Sequence, residues 1–111
     1  DDKWFCFVIE QLLSNALKYT RTGTISIFFS QPKVLCIKDT GIGIAPQDLP
    51  RVFEKGYTGC NGRTDKKASG LGLYLCKRIC KNLGIGISIT SEIGDGTCVY
   101  LSLDQYPLRA E

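Results

Sequence analysis

Eleven of the twelve glycines lie between residues 41 and 96, and eight of them form Gly-x-Gly pairs: Gly41/Gly43, Gly70/Gly72, Gly84/Gly86 and Gly94/Gly96. Glycine reaches positive φ and lets backbone approach a ligand or another backbone with no Cβ in the way. One such pair is explained equally well by a turn, so the weight falls on where each pair sits. At 111 residues the chain is the size of one domain with one modest core. Its 43% hydrophobic and 23% charged content is that of a globular protein and argues against disorder or a fibrous repeat. No apolar run approaches the roughly 20 residues a membrane helix needs, and no leader-like segment opens the chain, so a soluble piece is expected.

Hydrophobic periodicity places the glycines between regular elements. Phe5, Val8, Ile9, Leu12, Leu13, Ala16 and Leu17 recur at helical spacing and predict a helix over 3–20. Thr24–Ser30 and Val34–Asp39 are β-branched and aromatic runs that predict paired strands. A short helix fits Pro46–Phe53, with proline in its first turn. Residues 54–69 lack periodicity, hold three glycines, and are long enough to predict a lid or binding loop. A second helical stripe runs from Gly72 to Leu83. Strands at Ile85–Thr90 and Thr97–Leu103 follow, joined through an Asp95-Gly96 hairpin signal. The order predicts an α/β fold with helices layered on one face of a mostly antiparallel sheet.

Charge is uneven. Residues 51–81 carry eight basic groups against two acidic ones, which marks an anion-facing surface without saying whether phosphates, nucleic acid or a membrane face it. The six cysteines include no CxxC pair, and there is no histidine to complete a mixed zinc site. Five of them sit in apolar-patterned segments and are expected to be small reduced core residues, leaving Cys60 as the one candidate reactive thiol.

The Gly70-Leu71-Gly72-Leu73 pair opens the second helix directly after the basic loop, where unpaired N–H groups and the helix dipole favour phosphate. No GxxxxGK[ST] occurs, which removes the P-loop as the cradle, and the glycines follow a loop instead of a strand, which speaks against a dinucleotide fold. On the first helix Gln11, Asn15 and Lys18 share one face. Such a face is ordinarily just hydrated. An amide oxygen is nevertheless enough for Mg2+ when phosphates supply its other ligands, and Lys18 lies one turn further on.

Four blocks together resemble a family. Asn15-Ala16-Leu17-Lys18-Tyr19, Asp39-Thr40-Gly41-Ile42-Gly43-Ile44, Ser69-Gly70-Leu71-Gly72-Leu73 and Gly94-Asp95-Gly96-Thr97 look like the N, G1, G2 and G3 boxes of bacterial histidine kinase catalytic domains, in order and nearly spanning the chain. Phe53 resembles the F box, and the segment Lys55–Gly59 is similar to the lid of bacitracin-sensing, intramembrane-sensing kinases. The resemblance implies the Bergerat fold, a two-layer sandwich with a mixed, mostly antiparallel sheet, shared with gyrase and the Hsp90 chaperones. It implies that residues 1–111 are an ATP-binding catalytic domain, a fragment of a longer kinase without the phosphoacceptor domain.

By matching position, Asp39 should accept from the adenine amino group, with Gly43 and Thr97 close to the base and Gly41 and Ile44 also in the nucleotide-binding set. Asn15 should hold Mg2+, Lys18 and Tyr19 should touch phosphate or base, and Gly70 and Gly72 should wrap the phosphates, with Leu71 and Leu73 also in the nucleotide-binding set. Phe53 and Lys55 join the nucleotide-contacting set. Asn15, Lys18 and Gln11 are the candidate catalytic residues. Gln11 departs from the pattern: hydrolytic relatives carry Glu there, so an ATPase's general base is missing, and Glu10 points elsewhere by about 100° around the helix.

The implied activity is transfer of the γ-phosphoryl group of Mg-ATP to a histidine on the dimerisation domain of the same kinase, with a response regulator downstream. The implied setting is the cytoplasmic side of a homodimeric cell-membrane protein, with an ABC transporter as a further partner and no nucleic acid. The fragment itself is expected to be a monomer. Alternatives are a nucleotide-gated conformational module without catalysis, or a serine kinase or ATPase of the same fold.

Overall fold

The computed structural model describes residues 2–20, 22–54 and 72–104. The expected lid over 54–69, apart from Glu54, lies outside the described residues, with Lys55 and Cys60 in it, and so do Gly70 and Leu71 of the glycine pair that follows. Helix α1 (Asp2–Tyr19) leads into strands β1 (Ile25–Gln31) and β2 (Val34–Asp39). Helix α2 (Gly72–Leu83) then precedes strands β3 (Gly86–Glu92) and β4 (Gly96–Ser102). The four strands form one sheet in the order β1-β2-β4-β3, antiparallel at each pairing. Each element matches its sequence expectation to within two residues, apart from the helix expected over 46–53. That stretch forms only a 3-10 turn at Leu49–Arg51. Pro50 lacks the N–H that would close the first α-helical bond of a helix begun at residue 46.

Both helices cover one face of the sheet. α1 buries Val8, Leu12 and Ala16, one per turn, and α2 buries Cys76 and Cys80. They meet Ile37, Ile85, Val99, Leu101 and Leu103 in a single cluster. The Cys76 thiol lies 3.9 Å from the Val8 carbonyl oxygen, so the two helices touch directly through their buried stripes.

The register aligns the helix-facing side chains in rows. Leu35, Leu101 and Ile87 form one row, and Ile37, Val99 and Ile89 the next. The third row is Asp39, Thr97 and Ser91. Two apolar rows thus end in a polar one, across three strands at once.

The cysteine expectation is corrected. Cys36 and Cys98 form a disulfide between β2 and β4, with Cα atoms 6.6 Å apart. Cys36 is opposite Tyr100 and Cys98 opposite Lys38, so the two cysteines are diagonal neighbours on the face away from the helices. Cys6, Cys76 and Cys80 are free; Cys76 and Cys80 are buried, but Cys6 is exposed, not the core residue expected of it. Burial pushes the Cys76 thiol up to about 12, with neighbouring Cys80 adding to the shift, and pushes Cys80 up to about 11. These two are unreactive core thiols.

Candidate nucleotide site

Asp39 ends β2 and is 8% exposed, the one buried charged side chain among the described residues. Its Oδ1 accepts from the Gly41 N–H at 2.9 Å and the Thr97 N–H at 3.3 Å. Its Oδ2 forms no hydrogen bond with another described residue. A carboxylate held this way by two backbone donors is fixed in orientation and keeps one oxygen as a pure acceptor.

Backbone contact, without side chains, joins the loops around it. The Ile42 N–H donates to the Tyr19 carbonyl at 3.2 Å, and the Gly94 N–H donates to the Ile42 carbonyl at 2.9 Å. The loop after β2 is therefore clamped between the end of α1 and the β3–β4 hairpin. The closeness requires glycine: Gly43 has φ 81°, and a Cβ there would collide with the Glu92 carbonyl oxygen. A Cβ on Gly96, at φ 111°, would collide with the Asp39 carbonyl oxygen.

Ser91 completes this end of the sheet. Its Oγ accepts from the Ile44 N–H at 2.7 Å, donates to the Gly96 carbonyl at 2.8 Å, and lies 2.8 Å from Thr97 Oγ1. Asp39, Gly41, Ile44 and Thr97 are thus one hydrogen-bonded unit through Ser91 and the hairpin. Ser91 is absent from the candidates found in the sequence. The signal that marks it is the break in the alternating run Ile87, Ile89, Ser91, where a core-facing position turns polar.

The second part of the site lies where α1 meets the start of α2. A Cβ on Gly72 would stand 3.2 Å from Gln11 Oε1, so the Gln11 carboxamide sits against the first residue of α2. Asn15, one turn along α1, is half-buried. Lys18 is exposed, with its Nζ 5.5 Å from the Tyr19 ring centre. Leu73 packs against the hydrophobic core instead of standing in the open. Phe53 is half-buried beneath Lys77, whose Nζ lies 4.9 Å from the ring centre. Lys77 belongs to the basic block noted in the sequence, and here it joins α2 to the stretch that precedes the expected lid. Among the described residues no group of three or more His, Cys, Asp or Glu could cage a metal ion.

The family described as histidine kinase-, DNA gyrase B-, and HSP90-like ATPase matches residues 1–107. The chain is 43% identical to Sensor protein kinase GraS of Staphylococcus aureus (strain MRSA252), over 100% of this chain and 32% of that protein. It is also 43% identical to Sensor protein BceS of Halalkalibacterium halodurans, over 92% of this chain and 31% of that protein. It therefore spans about a third of the length of these curated relatives. Among solved structures, the mycobacterial sensor histidine kinase MprB superposes with a TM-score of 0.75 at 24% identity, covering 91% of this chain and 72% of that one. Full-length ShkA in complex with AMPPNP gives 0.70 at 23% identity, covering 91% and 21%. At these identities the structural likeness is one of fold.

Proposed function

Because the chain belongs to the histidine kinase-, DNA gyrase B- and HSP90-like ATPase family, we propose that it binds Mg-ATP and presents the γ-phosphoryl group to a histidine on a separate dimerisation domain, in two-component signal transduction. The observation that carries this reading is the fixed Asp39 carboxylate. Its acceptor oxygen suits an exocyclic amino group such as that of adenine, and the clamped loop and hairpin beside it form a rigid mount. The AMPPNP bound by ShkA supports an adenine nucleotide as the ligand.

The other roles follow from placement. Asn15 offers an amide oxygen on the α1 face that also carries Gln11, next to the start of α2. That donor set fits Mg2+, which takes few protein oxygens when phosphates supply the rest. When bound, Mg2+ would offset the charge on the phosphate oxygens. Lys18 and Tyr19 would face phosphate or base at the end of α1, and Gly70 to Leu73 would present the N–H groups of the α2 start to the phosphates.

Transfer then needs an imidazole nitrogen placed in line with the γ-phosphorus. The new N–P bond forms as the bond from γ-phosphorus to the β,γ-bridging oxygen breaks and ADP leaves. The chain has no histidine, so another domain must supply the acceptor. A neutral imidazole needs chiefly placement, whereas water needs a base. Gln11 can orient a water but cannot take its proton, which favours transfer over hydrolysis.

The similarity to GraS and BceS supports a place on the cytoplasmic side of a membrane-bound, homodimeric sensor kinase with a response regulator downstream. The lid resemblance to bacitracin-sensing kinases adds an ABC transporter as a candidate partner. The test is to mix the chain with a histidine-containing dimerisation domain and Mg-ATP labelled at the γ-position. Acid-labile phosphate should appear on the dimerisation domain, and Asn15→Ala should abolish it. Rapid ATP turnover by the chain alone, or undiminished transfer by Asn15→Ala, would overturn the assignment.

A further inference from the structure

We infer that Ser91 is a specificity-determining positioning residue: it takes the proton of the Thr97 hydroxyl, so that Thr97 can only accept toward the base. This rests on the adenine reading above. The hydrogens available in the polar row fix the direction of each bond in it. A serine hydroxyl has one proton and two lone pairs. The Gly96 carbonyl, at 2.8 Å, can only accept, so the Ser91 proton goes there. The Ile44 N–H, at 2.7 Å, can only donate, so it occupies one Ser91 lone pair. The 2.8 Å contact between the two hydroxyls then has one polarity left, with Thr97 donating to Ser91.

The consequence lies one residue away. Thr97 stands opposite Asp39 in the register and its N–H is bonded to that carboxylate. With its proton committed to Ser91, the Thr97 oxygen has only lone pairs left. Asp39 Oδ2 is likewise an acceptor. The row therefore presents acceptors alone, matched to a purine with an amino group at C6 and mismatched to one with a carbonyl there. Unpaired, the Thr97 hydroxyl could rotate and donate to a 6-oxo purine, so Asp39 alone would leave the discrimination incomplete. Ser91 need not touch the base to act.

The test compares ATP with inosine triphosphate, which carries a 6-oxo group, by calorimetry on the parent chain, Ser91→Ala and Ser91→Thr. The parent should prefer ATP. Ser91→Ala should lower the ATP-to-inosine-triphosphate affinity ratio about fivefold, the factor one neutral hydrogen bond carries, and Ser91→Thr should restore it. A purely structural role for Ser91 would weaken both nucleotides together and leave the ratio unchanged, which would overturn the inference while the adenine reading stands. A parent with no preference would overturn both. Should Ser91→Ala lose its cooperative melt, Thr97→Val removes the same acceptor while leaving Ser91 bonded to Ile44 and Gly96. An unchanged ratio in Thr97→Val would also overturn the inference.

Discussion

Asp39→Asn separates the fold from the ligand at one atom. The Asn carboxamide oxygen can replace Oδ1 and accept from the Gly41 and Thr97 N–H groups, at 2.9 and 3.3 Å in the parent. The NH2 group then falls at the position of Oδ2, where an adenine amino group would arrive, and donor meets donor. The loop clamp survives because the Ile42 and Gly94 bonds are backbone to backbone. A hydrogen bond to a charged group is worth about 1.5–3 kcal/mol. At about 1.4 kcal/mol per factor of ten, ATP affinity should fall roughly ten- to hundredfold. Calorimetry with ATP reads the loss, and a thermal melt of each protein checks that the variant still folds. A variant that melts like the parent and binds ATP within about threefold of it, with unchanged discrimination against GTP, would refute the assignment of Asp39 to the base.

Three further outcomes follow from the packing. Gly43→Ala should destabilise the chain more than Gly94→Ala in urea melts: both have positive φ, worth about 1–2 kcal/mol against a side chain, but only at Gly43 would the Cβ meet the Glu92 carbonyl, whereas the space at Gly94 is open. Reducing the Cys36–Cys98 bond, or replacing Cys98 with Ser, should lower stability by about 2–4 kcal/mol, since the bond closes a separation of 62 residues; a urea midpoint unmoved after full reduction, verified by thiol counting, would contradict this. The third outcome concerns pH. The folded thiols of Cys76 and Cys80 titrate at about 12 and about 11 against 9.0 ordinarily, so the unfolded chain releases protons first as pH rises. Their stabilisation is complete below pH 9 and is lost between there and the folded values. Urea midpoints should therefore fall above pH 9, and less steeply in a Cys76→Ala/Cys80→Ala variant; equal slopes would show that these thiols are not the cause.

Local signals carried much of the fold. The helical stripes of α1 and α2 show in sequence because a 3.6-residue period needs only neighbours on one helix, and the β3–β4 hairpin shows because Asp95-Gly96 marks its turn. The failures are non-local. Cys36 and Cys98 become neighbours only because β4 inserts between β2 and β3, and no spacing rule joins residues so far apart. Ser91 was hidden for the same reason. Alone, it is a polar residue near a strand end. Beside Asp39 and Thr97 it completes a row, and that row exists only once two long-range registers are set.

The site's two halves differ in what fixes them, and this bears on why a neutral amide can stand at position 11. The half around Asp39 is built from sheet register and backbone bonds, so its geometry is set before any ligand arrives. The other half depends on how α2 begins. Gly72 leaves room for the Gln11 carboxamide, and a side chain at 72 would press on Gln11 Oε1. Residues 11 and 72 are therefore matched in size. On the proposed function they would be matched in charge as well: a helix N-terminus draws anions, and an uncharged Gln11 would leave that attraction for phosphate. A carboxylate in the same place would be a base within reach of water, and would add negative charge where phosphate has to come. On the function proposed above, hydrolysis would give way to placement, which is what a phosphoryl donor to an external imidazole requires.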